Sequence, residues 1–322
     1  MRAVAIALCV STAVSALATG SNAAGYPDRP VRIIVPSAPG GQPDISARLI
    51  ADHLGKQIGQ AVFVENRPGA SGIIGFEAMA KAPPDGYTIG YASFLIATNP
   101  GMFSKLPYDA LRDFEMVIHQ VSGTNLLTVS PALEVTSVHA LIEHARANPG
   151  RLSFGSSGHG ASQHLSMELF RMMTNTRLEH VPYKAIQQAI TEAISGELQI
   201  VCDNVGSILP HVKMNRLRGL GVTASKRSPA VPELPTIAEA GVPGYEMAPW
   251  SGYVVPARTA REIVARLNHE LNKALLVPAV IDKLTAMGAT PIGGTPEQFA
   301  DHMRKEMAKW DKVINAMGVR PE

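Results

Sequence analysis

The sequence predicts an α/β fold made of two domains, each a sheet covered by helices. Three observations predict it. Short apolar segments alternate with longer amphipathic ones, turns of small residues lie between them, and the 322 residues exceed what one hydrophobic core usually covers. Because strands that alternate with helices pair through crossover connections, we expect parallel sheets.

The first unit begins with an apolar strand at residues 31–35, a glycine-containing turn and a helix that Asp44 is predicted to cap. The helix carries apolar residues at helical spacing, namely Ile45, Leu49, Ile50, Leu54 and Ile58. Further strands are predicted at residues 62–64 and 87–91, with a short helix through Met79 between them. This order predicts the strands and helices of the first sheet.

The second unit repeats the order of strand, turn and helix. Its strands are predicted at residues 152–154, 178–181, 198–201 and 217–222, and its helices begin near Ser162, Ala185 and Ser207. The helix near Ser162 places Leu165, Leu169 and Met172 on one face, which we expect to be buried.

Two apolar segments, residues 126–129 and 252–256, flank the second unit and are predicted to be strands that run between the domains. The first domain then comprises residues 25–125 and 250–322, and the second comprises residues 126–249. The C-terminal part is predicted to be helical, without a strand of its own, and to pack on the first domain.

Two helix starts are predicted in this C-terminal part. Thr259 and Glu262 have the spacing of a capping box. Thr295 followed by Pro296 indicates the start of a final helix, whose apolar residues are Phe299, Met303, Trp310 and Ile314.

The N-terminus has the features of a secretory signal peptide over residues 1–24. Arg2 gives a positive start, an apolar stretch follows, and residues 21–23 have the small-x-small pattern of a cleavage site. The apolar stretch is shorter than the roughly 20 residues that span a bilayer. We therefore expect an exported protein in the periplasm. Cleavage removes Cys9 and leaves Cys202 alone, which excludes an intramolecular disulfide.

The composition argues against nucleic acid as a partner. The formal net charge is only +2, and the chain has no concentrated cluster of lysine and arginine. Aromatic residues make up 5% of the chain, so stacking platforms for bases are not expected either.

The most informative segment is the serine-glycine loop, residues 155–163, between a predicted strand and a predicted helix. The first turn of a helix has N–H groups without intrahelical acceptors and the positive end of the helix dipole, so it favours a carboxylate. The candidate ligand-binding residues of this segment are Ser156, Ser157, His159, Gly160, Ala161, Ser162 and Gln163. The alternative, that Ser162 only caps its helix, remains open.

The turn before the first helix is a second candidate. Gly40 and Gly41 allow close approach of the main chain to a ligand, at the place where open parallel sheets bind ligands. Asp44 is either a structural N-cap or an acceptor that points into the cleft. Arg67, in the equivalent turn after the second strand, either binds a carboxylate or braces its own loop.

Two further loops offer polar side chains. Asp203 follows an apolar strand, and its carboxylate either faces the space between the domains or closes an Asx turn. Tyr183 lies in a loop that either offers a hydroxyl to the cleft or forms a solvated corner.

The sequence lacks the motifs of zinc proteases, serine hydrolases and nucleotide-binding proteins. His164 and Glu168 lie one helical turn apart, but none of the ten histidines belongs to a zinc-protease pattern, so we assign no metal ligand. A serine hydrolase that uses Ser157 requires Gly-x-Ser-x-Gly, and His159 stands in place of the last glycine. No Walker lysine or complete dinucleotide fingerprint follows a strand, so no cofactor and no catalytic residue are predicted.

Taken together, these motifs resemble the Bug family, the TctC-type periplasmic receptors of tripartite tricarboxylate transporters. The residues that carry the resemblance extend over essentially the whole mature chain, at 26–32, 39–41 with Asp44, 65–72, 85–87, 99–100, 155–158, 163–165, 180–184, 203–204, 224–229 and 235–241.

The resemblance implies a periplasmic binding protein of type II-like fold, with two Rossmann-like lobes, two crossover strands and a ligand cleft between the lobes. It implies a small organic carboxylate as ligand, transient contact with membrane subunits of a transporter, and no enzymatic activity. We further expect a monomer.

Relatives also use the loop after the third strand, where this chain has Ser93 and Phe94. The apolar residues that follow, together with those after Lys184, suggest a more apolar pocket that suits an aromatic or alkyl carboxylate. Two alternatives to the transport receptor stay open: a secreted serine hydrolase that uses Ser157, and a sensor protein of the same fold.

Overall fold

The computed structural model describes residues 25–318, so the predicted signal peptide lies outside the described residues. The first sheet has six strands: β1 (Val31–Val35), β2 (Val62–Asn66), β3 (Thr88–Ser93), β4 (Phe114–Gly123), β10 (Trp250–Pro256) and β11 (Ala289–Gly293). Their order across the sheet is β11-β4-β10-β3-β1-β2. β1 pairs in parallel with β2 and β3, whereas β10 is antiparallel to β3 and β4, and β11 is antiparallel to β4.

The second sheet has five strands: β5 (Asn125–Val129), β6 (Ser153–Ser156), β7 (Glu179–Pro182), β8 (Ile200–Asn204) and β9 (Arg218–Val222). Their order is β7-β6-β8-β5-β9. β6 is parallel to β7 and β8, and β5 is antiparallel to β8 and β9.

The expectation of purely parallel sheets is therefore wrong, since both sheets are mixed. Most strands that a helix joins on the same sheet are parallel, as predicted. The exception is the pair β5 and β6, joined by the helix Val138–Ala147, because β5 is antiparallel and β6 parallel to β8. A strand that enters a sheet directly from the other sheet runs in the opposite direction. This is the case for β5, which follows β4 with Thr124 alone between them, and for β10.

Within residues 25–318, ten α-helices connect or cover these strands: α1 (Gln42–Ile58), α2 (Ile73–Ala80), α3 (Leu95–Met102), α4 (Val138–Ala147), α5 (Ser162–Thr174), α6 (Ile186–Ser195), α7 (Val205–Lys213), α8 (Arg261–Leu275), α9 (Pro278–Ala286) and α10 (Pro296–Ala316). Among the described residues, no helix combines the length and the apolar character needed to cross a membrane.

Several predicted helix caps need correction. Asp44 is not the N-cap of α1, because Gly41 takes that place and the helix begins at Gln42. Ser162 is not the cap of α5 either, since Ala161 is the N-cap. The capping box at Thr259 is wrong: the hydroxyl of Thr259 donates to the carbonyl of Pro256.

The predicted start of the final helix is confirmed. The side chain of Thr295 accepts from the N–H of Gln298, and the side chain of Gln298 accepts in return from the N–H of Thr295. Phe299, Met303, Trp310 and Ile314 of α10 are all buried, as expected.

Four elements were not predicted from the sequence: β4, β11, α3 and α4. The C-terminal part therefore does contain a strand, β11, which extends the first sheet beside β4. Two predicted core positions are also wrong, because Ile45 and Met172 are 49% and 47% exposed.

The first sheet is buried on both faces. Along β1, Ile34 belongs to the apolar cluster that contains Trp310 of α10, whereas Ile33 and Val35 belong to the cluster that contains residues of α1 and α8. Alternate residues of a strand face opposite sides, so helices cover both sides of this sheet. Burial on both faces explains why β1 is a near-continuous apolar run, interrupted only by Arg32.

Candidate functional site

The turns that follow the parallel strands of the first sheet lie at one edge of that sheet. β2 and β3 flank β1, and all three run in the same direction, so their carboxyl ends are neighbours. The Gly40–Gly41 turn follows β1, and Ser93 ends β3. This is the edge at which open α/β sheets bind ligands.

The second sheet gathers its candidate residues in the same way. Ser156 at the end of β6 pairs with Pro182 at the end of β7, and Gly155 pairs with Val201 of β8. The serine-glycine loop, the loop that contains Tyr183 and the end of β8 at Asp203 therefore lie at one edge.

The two edges meet where the chain passes from one sheet to the other. β4 runs in the direction of β3, because both are antiparallel to β10, and it ends at Gly123. After Thr124, β5 starts at Asn125, which pairs with Asn204 at the end of β8. The candidate loops of the two sheets therefore lie on either side of this crossing.

The return crossing lies beside the first one. The N–H of Asn125 donates to the hydroxyl of Thr223 at 2.9 Å, and the N–H of Gly123 donates to the carbonyl of Pro249 at 2.6 Å. The hydroxyl of Thr124 accepts from the N–H of Ala224 at 3.1 Å. Hydrogen bonds donated by backbone N–H groups to two hydroxyls and one carbonyl thus tie the two crossings together.

The serine-glycine loop has the backbone geometry that the sequence predicts for an anion site. The first intrahelical bond of α5 runs from the N–H of Leu165 to the carbonyl of Ala161, so the N–H groups of Ser162, Gln163 and His164 precede it and have no intrahelical acceptor. Gly160 has φ +74°, a conformation that favours glycine.

Polar side chains link this loop to its neighbours. The amide of Gln163 donates to the carboxylate of Asp203 at 2.8 Å and its oxygen accepts from the hydroxyl of Ser157 at 3.2 Å. The amide of Asn125 donates to the hydroxyl of Ser162 at 3.4 Å. Burial raises the pKa of Asp203 against the opposing effect of its hydrogen bonds, of which the one from Gln163 is the strongest.

Contact between the lobes occurs at the same loop. The hydroxyl of Thr98, in α3, donates to the carbonyl of Gly160 at 3.4 Å. A Cβ atom added to Gly160 would lie 3.3 Å from the side chain of Met102, also in α3. Helix α3, which follows β3, therefore packs on the serine-glycine loop.

Comparison with known proteins agrees with this geometry. The model of the tripartite tricarboxylate transporter family receptor, TctC, matches residues 46–319. The chain belongs to this receptor family. Protein BugT of Bordetella pertussis is 34% identical to it over 310 residues, which cover 96% of this chain and 95% of BugT.

Two solved structures share the fold of this TctC-family chain. One, an R. palustris protein with adipate, is 39% identical with a TM-score of 0.85, and the match covers 92% of this chain and 100% of that one. MatC from Rhodopseudomonas palustris with bound malate is 28% identical with a TM-score of 0.81, covering 90% and 100% of the two chains. The two-lobed fold of type II periplasmic binding proteins is thereby confirmed.

Asp44 of this TctC-family receptor braces the first turn. Its carboxylate accepts from the N–H of Gly40 at 2.9 Å, from Nε of Arg48 at 3.0 Å and from the amide of Asn66 at 3.0 Å. Burial acts to raise the pKa of Asp44, but these hydrogen bonds outweigh it and hold the pKa below its ordinary value. Asp44 therefore ties the turn after β1 to the end of β2.

We expect Asp44→Asn to lower the free energy of unfolding at pH 7 by about 1–2 kcal/mol, because an amide cannot replace a charged acceptor for all three donors. A depressed folded-state pKa stabilises the fold above the unfolded pKa of about 3.9 and loses that effect as the pH falls through the folded value. The difference between the two proteins should therefore shrink below about pH 4 in urea titrations. Asp52→Asn, on the exposed side of the same helix, is the control, and an equal loss there would contradict the bracing role.

Arg67 also braces its own loop. Its Nε donates to the carboxylate of Glu65 at 2.5 Å, and Glu65 accepts in addition from Arg32 at 2.9 Å. Of the two roles that the sequence left open for Arg67, the structure shows the brace.

The two candidate residues at the end of β3, Ser93 and Phe94, have different environments. The ring of Phe94 is buried and packs edge-on against Trp310 at 5.1 Å between centroids, so it is part of the core. The hydroxyl of Ser93 is buried and has no hydrogen-bond partner among residues 25–318. Ser93 keeps its role as a predicted ligand contact, whereas Phe94 contributes its side chain to the core.

Tyr183 has a partner within its own lobe. Its hydroxyl donates to the carboxylate of Glu192 in α6, and burial, followed by this hydrogen bond, raises the pKa of Tyr183 to about 12. Its ligand contact stays a prediction.

Asn125 is a candidate that sequence reasoning missed. The side chain is fully buried at the first crossing, beside Ser162, and its carbonyl oxygen has no hydrogen-bond partner within the described part of the chain. Asn125 lies where the chain passes from β4 in the first sheet to β5 in the second. Its position could have been predicted only if β4 had been predicted as a strand.

Histidines also come together here, which their spacing in the sequence does not reveal. His164 and His180 stack with centroids 4.1 Å apart, and His159 lies edge-on to both. Burial, followed by the neighbouring imidazoles, lowers the pKa of His164 to about 3, and the same two causes lower the pKa of His180 to about 4. Both rings are therefore neutral at pH 7.

The serine beside a histidine is Ser156, not Ser157. Oγ of Ser156 lies 2.6 Å from Nε2 of His180, and it also donates to the carbonyl of Gly158. Ser157 bonds to Gln163 instead. A hydrolase that uses Ser157 would need a histidine beside that hydroxyl, and among the described residues its hydrogen bond goes to Gln163.

Proposed function

We propose that the chain is a periplasmic receptor that captures a small organic carboxylate between its two lobes and delivers it to a tripartite tricarboxylate-type transporter. One observation carries the proposal: the N–H groups at the start of α5, which have no intrahelical acceptor, lie beside the crossing between the lobes. Relatives whose structures hold adipate and malate support a carboxylate as the ligand.

The capture mechanism follows from the arrangement of the loops. One carboxylate accepts hydrogen bonds from the N–H groups of Ser162, Gln163 and His164, where the dipole of α5 favours negative charge. Closure of the lobe made of residues 25–125 and 250–322 onto residues 126–249 brings the Gly40–Gly41 turn to the other end of the ligand. A ligand that contacts both lobes shifts the equilibrium towards the closed state.

We base the proposed ligand class on the polar groups that line the cleft and not on an apolar lining. Phe94 and Ile96, which suggested an apolar pocket, are buried in the core. Asn125 and Ser93 instead offer buried oxygens that lack partners within residues 25–318. A dicarboxylate with a second polar end suits such a cleft.

A melting experiment over a panel of acids tests the proposal. We expect dicarboxylates to raise the melting temperature of the mature protein in proportion to the logarithm of their concentration above Kd, and the matching diamides to leave it unchanged. Absence of any stabilising acid at millimolar concentration would contradict the receptor assignment. Ester turnover that disappears in Ser157→Ala would instead support the hydrolase alternative, and acid binding without a transporter partner would support the sensor.

A further inference from the structure

Three histidines from three segments meet at the serine-glycine loop. His159 lies in the loop itself, His164 in the first turn of α5, and His180 in β7. One ring nitrogen of each lies within 4.8 Å of those of the other two. His164 is only 3% exposed, His180 is half-buried and His159 is exposed, so the cluster is anchored in the lobe and open to solvent on one side.

We propose that this histidine triad binds a divalent first-row transition metal ion, with Zn²⁺ as the best fit. Imidazole nitrogen is a preferred ligand of zinc, which commonly takes three histidines and leaves its fourth position to water or another ligand. Tetrahedral zinc with Zn–N distances of about 2.0–2.1 Å places its ligand nitrogens about 3.3 Å apart. Rotation of the exposed His159 side chain and small shifts of the other two rings supply this contraction.

An outer hydrogen-bond partner is in place for His180, and a carboxylate lies near His164 but beyond hydrogen-bond distance. Nε2 of His180 contacts the hydroxyl of Ser156 at 2.6 Å, and Nε2 of His164 lies 3.9 Å from the buried carboxylate of Glu168. Metal-bound histidines usually donate their second ring N–H to a partner of this kind. Both groups lie at Nε2, which leaves Nδ1 of each ring to the metal.

Metal binding would change the serine-glycine loop. The N–H of Gly160 now donates to Nδ1 of His164 at 3.2 Å. A metal on Nδ1 of His164 removes this bond, because the metal takes the lone pair that now accepts from Gly160. The amide of Gly160 is therefore a local reporter of metal binding that a zinc ion elsewhere on the surface would not move.

Calorimetric titration of the untagged mature protein with Zn²⁺, in the absence of any carboxylate, tests the proposal. We expect one ion per chain, and affinity reduced about tenfold or more in His159→Gln, whose exposed position makes it a mild change for the fold. His180→Gln should weaken zinc binding as well. His269→Gln, an exposed histidine on α8, is the matched control and should bind zinc as the unaltered protein does.

Two readouts decide the outcome. Support requires a shift of the Gly160 amide resonance on adding Zn²⁺, and zinc X-ray absorption that reports nitrogen ligands at about 2.0 Å. Equal zinc affinity in the unaltered protein and His159→Gln, or an unmoved Gly160 amide, would overturn the proposal. Because the titration contains no carboxylate, its failure leaves the proposed receptor function untouched.

Discussion

Replacing Ser162 by proline should weaken carboxylate binding about tenfold or more, because it deletes one backbone N–H from the start of α5. A hydrogen bond to a charged group contributes about 1.5–3 kcal/mol, which corresponds to at least about a tenfold change in Kd. Proline is tolerated at the first position of a helix, where its missing N–H has no intrahelical acceptor. The residue before it, Ala161, has φ −64° and ψ 156°, which suits a position that precedes proline.

Ser162→Ala is the matched control for this experiment. It removes the hydroxyl that accepts from Asn125 but keeps the backbone N–H. We expect a smaller loss of affinity from Ser162→Ala than from Ser162→Pro, with both variants unfolding near the temperature of the unaltered protein. Calorimetry with the best acid of the panel measures the two affinities, and equal affinities would remove the Ser162 amide from the site.

Replacing Trp310 by alanine should lower the free energy of unfolding by about 3–5 kcal/mol, the usual cost of truncating a large buried aromatic residue. Trp310 is fully buried in α10, packs edge-on against Phe94, and donates its indole N–H to Glu306 at 3.0 Å. The substitution leaves a cavity and removes one of the two indole hydrogen bonds to Glu306, which keeps the one from Trp250 at 3.1 Å.

Urea unfolding measures this loss, and Leu276→Ala is the comparison. Leu276 is 75% exposed, so its truncation should change the free energy of unfolding by less than about 0.5 kcal/mol. A loss below about 1 kcal/mol in Trp310→Ala would show that α10 is not the main support of this face of the sheet.

The predictions that succeeded rest on local signals. A near-continuous apolar run identifies β1 because both of its faces are buried. Threonine followed by proline identifies the start of α10 because adjacent residues make the cap and the first turn. The serine-glycine loop could be predicted for the same reason, since strand, loop and helix start lie within residues 153–163.

The predictions that failed depend on residues distant in the chain. Aspartate is a common N-cap residue, yet the carboxylate of Asp44 accepts hydrogen bonds from Asn66, 22 positions away, and from Gly40. The direction of β5 follows from the passage of the chain between sheets, which no local pattern reveals. The same holds for the meeting of His159, His164 and His180, whose spacing matches no metal motif.

The most direct test of the account is calorimetric titration of the mature protein with a dicarboxylate of the adipate class and with the corresponding neutral diamide. We expect the diacid to bind at one site per chain without being chemically altered, and the diamide to bind at least about a hundredfold more weakly, because the amides of α5 select negative charge. Equal binding of diacid and diamide would contradict the claim that oriented backbone N–H groups hold a carboxylate between the lobes.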